Sequence, residues 1–71
     1  MTEVRAELIG NCWKVLVTAG ETVAADQTLL ILESMKMEIP VTAPTAGTVS
    51  AVLAREGEVV QEGQVLVTID P

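Results

Sequence analysis

Short apolar-rich runs alternate with polar turns along the whole chain, and none of the runs is long enough for a helix. The segments "CWKVLV" (12–17), "TLLILE" (28–33), "TVSAVLA" (48–54) and "QVLVTI" (64–69) predict β-strands. Between them, "TAGETVAADQ" and "REGEVVQEGQ" each set a Gly-Glu turn before an apolar dipeptide and a second polar turn. The one stretch to weigh as a helix, Val49 to Glu56, begins with β-branched residues and stops at Gly57.

The pattern repeats. Sliding the chain on itself by 37 residues, without a gap, aligns residues 6–33 with 43–70 and leaves nine identities. They are Ala6/Ala43, Gly10/Gly47, Val15/Val52, Leu16/Leu53, Gly20/Gly57, Glu21/Glu58, Val23/Val60, Gln27/Gln64 and Leu29/Leu66. Such regularity predicts one domain over 1–71, made of two similar halves related by a pseudo-two-fold axis. With about four short strands per half, the expected fold is all-β, a sandwich or flattened barrel. The joint between the halves and the chain termini then fall at opposite ends of the molecule.

That joint holds "ESMKMEIPV", residues 33–41, with Lys36 near its middle. A turn with Met35 and Lys36 as its central pair matches Ser34 with Met37, Glu33 with Glu38, Leu32 with Ile39, and Leu30 with Val41. The aliphatic pairs then share one face, as a buried face requires. Centring a three-residue turn on Lys36 would pair Glu33 with Ile39 and break that pattern. Turns of the shorter kind favour Asn-Gly, because their central residues take positive φ. Met-Lys costs about 1–2 kcal/mol per residue held there, and Glu33 facing Glu38 adds repulsion of roughly a few tenths of a kcal/mol. Taken singly, an exposed turn lysine is a solvated loop residue and a neighbouring methionine is core filler. Their conjunction, in a poor turn at the repeat joint, marks a functional site.

Composition narrows the function. A chain of 71 residues buries only about 60% of its unfolded surface, leaving little room for an enclosed active site. Apolar residues make up 49% of it, yet Trp13 is the sole aromatic, so the core is aliphatic. Ten acids against four bases give a net charge of −6, which argues against a nucleic-acid partner. Cys12, the single cysteine, reads as a small buried hydrophobe in a reducing compartment. With no signal-peptide pattern and no apolar run of membrane length, the expected location is cytoplasmic, away from membranes. There is no histidine or tyrosine, and no metal-ligand cluster or pair of catalytic acids. Lys14, in "CWKVLV", is expected to face outward as an ordinary strand residue, and Trp13 to pack at a sheet edge or beside the core.

The chain resembles the biotinyl/lipoyl attachment domain family from about Arg5 to Asp70. Met35-Lys36-Met37 matches the Met-Lys-Met signature of biotinyl domains, "PTAG" (Pro44 to Gly47) matches the P-x-x-G that follows it, and Gly20 and Gly57 fit the family's turns. Ser34 stands where biotinyl domains usually have alanine, and Glu33-Ser34 is closer to what precedes the lysine in lipoyl domains. The chain lacks an Ala/Pro-rich linker and the "thumb" insertion of some bacterial carriers, so it is most similar to free-standing, single-domain attachment proteins of the biotin carboxyl carrier type.

The resemblance implies a barrel-sandwich hybrid of two four-stranded antiparallel sheets. It implies that Lys36 is the biotin attachment residue, flanked by the recognition residues Met35, Met37, Glu33, Ser34 and Glu38. A biotin protein ligase would modify Lys36; a biotin carboxylase and a carboxyltransferase would then use the domain to carboxylate an acyl-CoA or a 2-oxo acid. The expected protein is a non-catalytic carrier, monomeric when isolated. Two alternatives stand beside it: a lipoyl carrier with lipoate on Lys36, and a barrel-sandwich domain that serves only in assembly.

Overall fold

The computed structural model describes all of residues 1–71 and contains eight β-strands. They are β1 (Thr2–Arg5), β2 (Gly10–Val15), β3 (Thr22–Val23), β4 (Thr28–Ser34), β5 (Met37–Thr42), β6 (Gly47–Val52), β7 (Val59–Val60) and β8 (Val65–Asp70). Two four-stranded sheets result, ordered β1-β8-β6-β3 and β5-β4-β2-β7, with every pairing antiparallel. The all-β expectation holds.

The 37-residue shift acts on the structure as it does on the sequence. It carries β2 onto β6, β3 onto β7, β4 onto β8 and Thr2–Arg5 into β5, so it converts one sheet's strand order into the other's. Backbone hydrogen bonds repeat in step: Ala6 N–H donates to Gln64 O and Ala43 N–H to Gln27 O, at 2.9 and 2.8 Å. Gln27 and Gln64 play one part in the two halves, each side-chain oxygen accepting from a backbone N–H three residues earlier, at 3.0 Å.

Between the sheets lies a core of Val, Leu, Ile and Ala with Cys12 among them, all closed to solvent. Simple alternation cannot bury Leu29 with Leu30, or Leu66 with Val67, yet all four are buried. β-Bulges solve this. The register slips between Thr28 and Leu30 against β5, and at the equivalent place where Val4 and Arg5 face Val67 and Val65. The extra residue, Leu29 or Leu66, turns inward beside its neighbour. A further bulge between Cys12 and Lys14 has the opposite effect: Cys12 is buried while Trp13 and Lys14 both face out. Lys14 is exposed as expected, by virtue of the bulge. Of the two places expected for Trp13, a sheet edge or beside the core, the second is not taken: it lies on the outer face, 40% exposed, with the Lys14 ammonium 5.6 Å from its ring centre.

Gly47 is required by close approach. A Cβ there would run into the Asp70 carbonyl oxygen and come within 2.7 Å of Ile69 Cγ2. Its counterpart Gly10 sits against the Glu33 carbonyl oxygen, 3.0 Å from where a Cβ would stand.

Candidate functional site: the β4–β5 hairpin

β4 and β5 are the longest paired strands, and their register sets the site. Ser34 pairs with Met37, Glu33 with Glu38, Leu32 with Ile39, Ile31 with Pro40 and Leu30 with Val41. These are the partners expected for a two-residue turn. Met35 and Lys36 take φ of 52° and 65°, the left-handed conformations such a turn demands. On the inner face Leu30 and Leu32 are fully buried, anchoring the hairpin to the core.

The apex stands free. Met35 is 91% and Met37 63% exposed, and Lys36, Glu33 and Glu38 are exposed with them; Ser34 is partly covered. Lys36 Nζ makes no ion pair or hydrogen bond, since the one ion pair of the molecule is Arg5–Glu3 at 2.7 Å. All six site residues read from the sequence therefore gather on one turn. The amine is positioned by backbone geometry alone.

The hairpin also marks one end of the molecule, whose dimensions are 33 × 17 × 17 Å. β2 starts beside it, with Asn11 opposite Glu33, and runs away to the loop that leads into β3. β3 lies next to Thr48, which itself faces Asp70 at the chain terminus. Hairpin and termini thus occupy opposite ends. "PTAG" lies at the terminal end, because Gly47 packs on Ile69 and Asp70 rather than on the hairpin. The residue placed against the hairpin's own β4 is Gly10, which the 37-residue identity with Gly47 flags without giving its role.

Near this end the Cys12 thiol has its pKa pushed up, first by burial and then by the Glu56 and Glu58 carboxylates. It is closed to solvent and inert as a nucleophile.

A family model described as "Biotin-requiring enzyme" (biotin/lipoyl) matches residues 2–69. The chain belongs to the biotin/lipoyl domain family. Among relatives of this biotin/lipoyl domain, the biotin/lipoyl attachment protein of Bacillus subtilis (strain 168) is 47% identical over 66 residues, 93% of this chain and 90% of the relative. The biotin carboxyl carrier protein of Streptococcus mutans is 48% identical over 64 residues, covering 90% of this chain but 49% of that protein. In three dimensions the domain superposes on part of the urea carboxylase of Kluyveromyces lactis with a TM-score of 0.91 and 30% identity, covering 97% of this chain and 6% of the larger one.

Proposed function

We propose that this domain is a biotin carboxyl carrier, with biotin joined through an amide to Lys36 Nζ. The observation that carries the reading is a lysine amine without a side-chain partner, at the apex of a turn that the backbone holds at φ 52° and 65°. The names of the relatives support biotin over lipoate as the group carried.

In attachment, the chain's part is presentation. Attack on an acyl carbon needs the lone pair of a neutral amine, so the ligase must take the proton. Lys36 Nζ then attacks the acyl carbon of the activated acid, the C–N bond forms, the acyl–phosphate bond breaks and AMP leaves. Met35 and Met37 give the ligase apolar, adaptable contact on either side of the amine, and Glu33 and Glu38 give it a place for basic groups. When bound, biotin supplies a ureido nitrogen that accepts carboxylate at a biotin carboxylase and gives it up at a carboxyltransferase. The domain itself moves the arm between those sites, which tethering keeps at high effective concentration. It has no catalytic role of its own, acts as a monomer and works in the cytoplasm.

Intact mass and peptide mapping after incubation with biotin, ATP and a biotin protein ligase test the proposal. One biotinyl group on Lys36 and none on Lys14 is the expected result, with Lys36→Arg unlabelled yet folded by circular dichroism. An unlabelled wild-type domain would overturn it. Labelling by lipoate and lipoate ligase in place of biotin would move the domain to lipoyl chemistry.

A further inference from the structure

β1 and β5 hold equivalent places in the two halves, 37 residues apart, each the edge strand of its sheet and paired on one side only. Between their free edges lies the one groove of the molecule, of about 500 Å³, within the size range of small-ligand sites. A perfect repeat would make the two ends of this groove alike, and they differ. Leu32 and Ile39 line it on the hairpin side, whereas their equivalents Ile69 and Thr2 stand outside it. Val41 is left half-open on β5, while Val4, at the same position of β1, is only 6% exposed. Where the other half has Thr2, the hairpin half sets an isoleucine that is not fully covered. The fold works with threonine there, so it does not require this apolar opening toward Lys36.

Charge divides the groove as well. Glu3, Arg5 and Glu7 line one wall, and their equivalents on the other wall are Pro40, Thr42 and Pro44, none of them charged. Arg5 is anchored, its guanidinium donating to the Gly63 carbonyl and to the Glu3 carboxylate at 2.7 Å each. Further N–H donors of the guanidinium remain free.

We infer that this groove is a resting site for the biotinyl arm of the domain's own Lys36. The inference rests on the carrier reading of that lysine. Reach, chemistry and tethering choose the occupant. Ile39 lies three residues past Lys36 on the strand that leaves the turn, about 10 Å at the usual strand rise. Ten bonds of about 1.5 Å join the Lys36 Cα to the ring system of biotin, roughly 13 Å when extended. Leu32, Ile39 and Val41 offer an apolar floor to the acyl chain and the sulfur-containing ring. The ureido group carries two N–H donors and one carbonyl acceptor; the Glu3 and Glu7 carboxylates accept, and the Arg5 guanidinium donates. Tethering supplies the arm at about millimolar effective concentration, so weak contacts suffice. An added peptide strand fits less well, because Pro40 removes a backbone donor from the middle of the β5 edge. A second copy would set Glu3 and Glu7 against another chain of net charge −6. A resting arm must leave the groove before any partner takes it, so the free fraction scales each partner's apparent affinity.

The test compares amide spectra of the isotope-labelled domain before and after biotinylation, and times capture of the biotinylated domain by avidin. Shift changes are expected at residues 3–8 and 39–42 as well as on the hairpin, with nuclear Overhauser contacts from the biotin ring to the methyl groups of Ile39 and Val41. Ile39→Thr, which installs the residue of the equivalent position, is expected to abolish the changes at 3–8. It should also speed avidin capture by about threefold or more as the free fraction rises. Glu7→Ala, at an exposed position, gives the same comparison should Ile39→Thr misfold. Changes confined to residues 33–38, with capture equally fast in wild type and folded variants, would overturn this inference alone. A wild type that takes no biotin removes the carrier reading and this inference together. Sedimentation that reveals a dimer of the unmodified domain, broken by Ile39→Thr, would give the groove to a second copy and so overturn it as well.

Discussion

At Met35 and Lys36 the chain holds two consecutive L-residues in a region where Cβ crowds the following carbonyl, with φ of 52° and 65°. Replacing both by the residues that turn favours, Met35→Asn/Lys36→Gly, is expected to stabilise the domain by about 1–2 kcal/mol. That is a rise in melting temperature of roughly 4–15 °C for a domain of this size, read by thermal circular dichroism, with all labelling lost. Gly47→Ala and Gly10→Ala test the close approaches. Gly47→Ala has backbone and Ile69 in its way and is expected to cost about 1–3 kcal/mol in urea denaturation; Gly10→Ala, facing one carbonyl oxygen at 3.0 Å, costs less. Cys12 adds a pH dependence. Burial first, then Glu56 and Glu58, hold its folded pKa above the ordinary value. Below that unfolded value, about 8.5, both states keep the proton and stability is flat; as pH rises from there toward the folded pKa the unfolded chain ionises first and stability falls. The urea midpoint is expected to decline above about pH 8.5, less steeply in Cys12→Val, which installs the residue found at the repeat-equivalent Val49.

Among the elements, β4 and β8 each carry a bulge that lets two adjacent apolar residues point inward. Leu66 is fully buried at one of them, and Leu66→Ala is expected to cost about 2–5 kcal/mol. Against a total of roughly 4–10 kcal/mol for a chain this long, the variant should be partly unfolded at 37 °C by circular dichroism. The positions of β2, β4, β6 and β8, the hairpin register and the turn type were legible because each depends on neighbours in sequence or directly across one turn, whereas the two-residue β3 and β7 read only as parts of turns. β1 was not: "TEVR" is polar, and as an edge strand it pairs only with β8. The bulges were hidden too. Leu29-Leu30 and Trp13-Lys14 break alternation in opposite senses, and which pair turns inward is decided by the strand opposite.

Across the whole molecule, the two halves do not make one sheet each. Each sheet takes two strands from either half: β1 and β3 join β6 and β8, while β5 and β7 join β2 and β4. Pairs β1–β8, β2–β7 and β3–β6 lock the halves together, so residues 1–36 or 37–71 alone are expected to stay unfolded, which far-ultraviolet circular dichroism of the two fragments would check. The same interlock sends the hairpin to one end of a 33 Å body and both termini to the other, leaving the amine clear of the termini.

The repeat period, the all-β class, the turn centred on Met35 and Lys36, and the gathering of Glu33, Ser34, Met37 and Glu38 around it were all determined by the sequence alone, because short-range periodicity and hairpin pairing are local properties. Which strands share a sheet was decided only in three dimensions. Alternation within a strand does not say which strand lies beside it; that is decided by long-range backbone pairing and by the fit of Gly47 against Ile69 and Asp70. The exposure of Trp13 belongs with that second group: a bulge set by β4 turns it outward, onto the face that bears the hairpin.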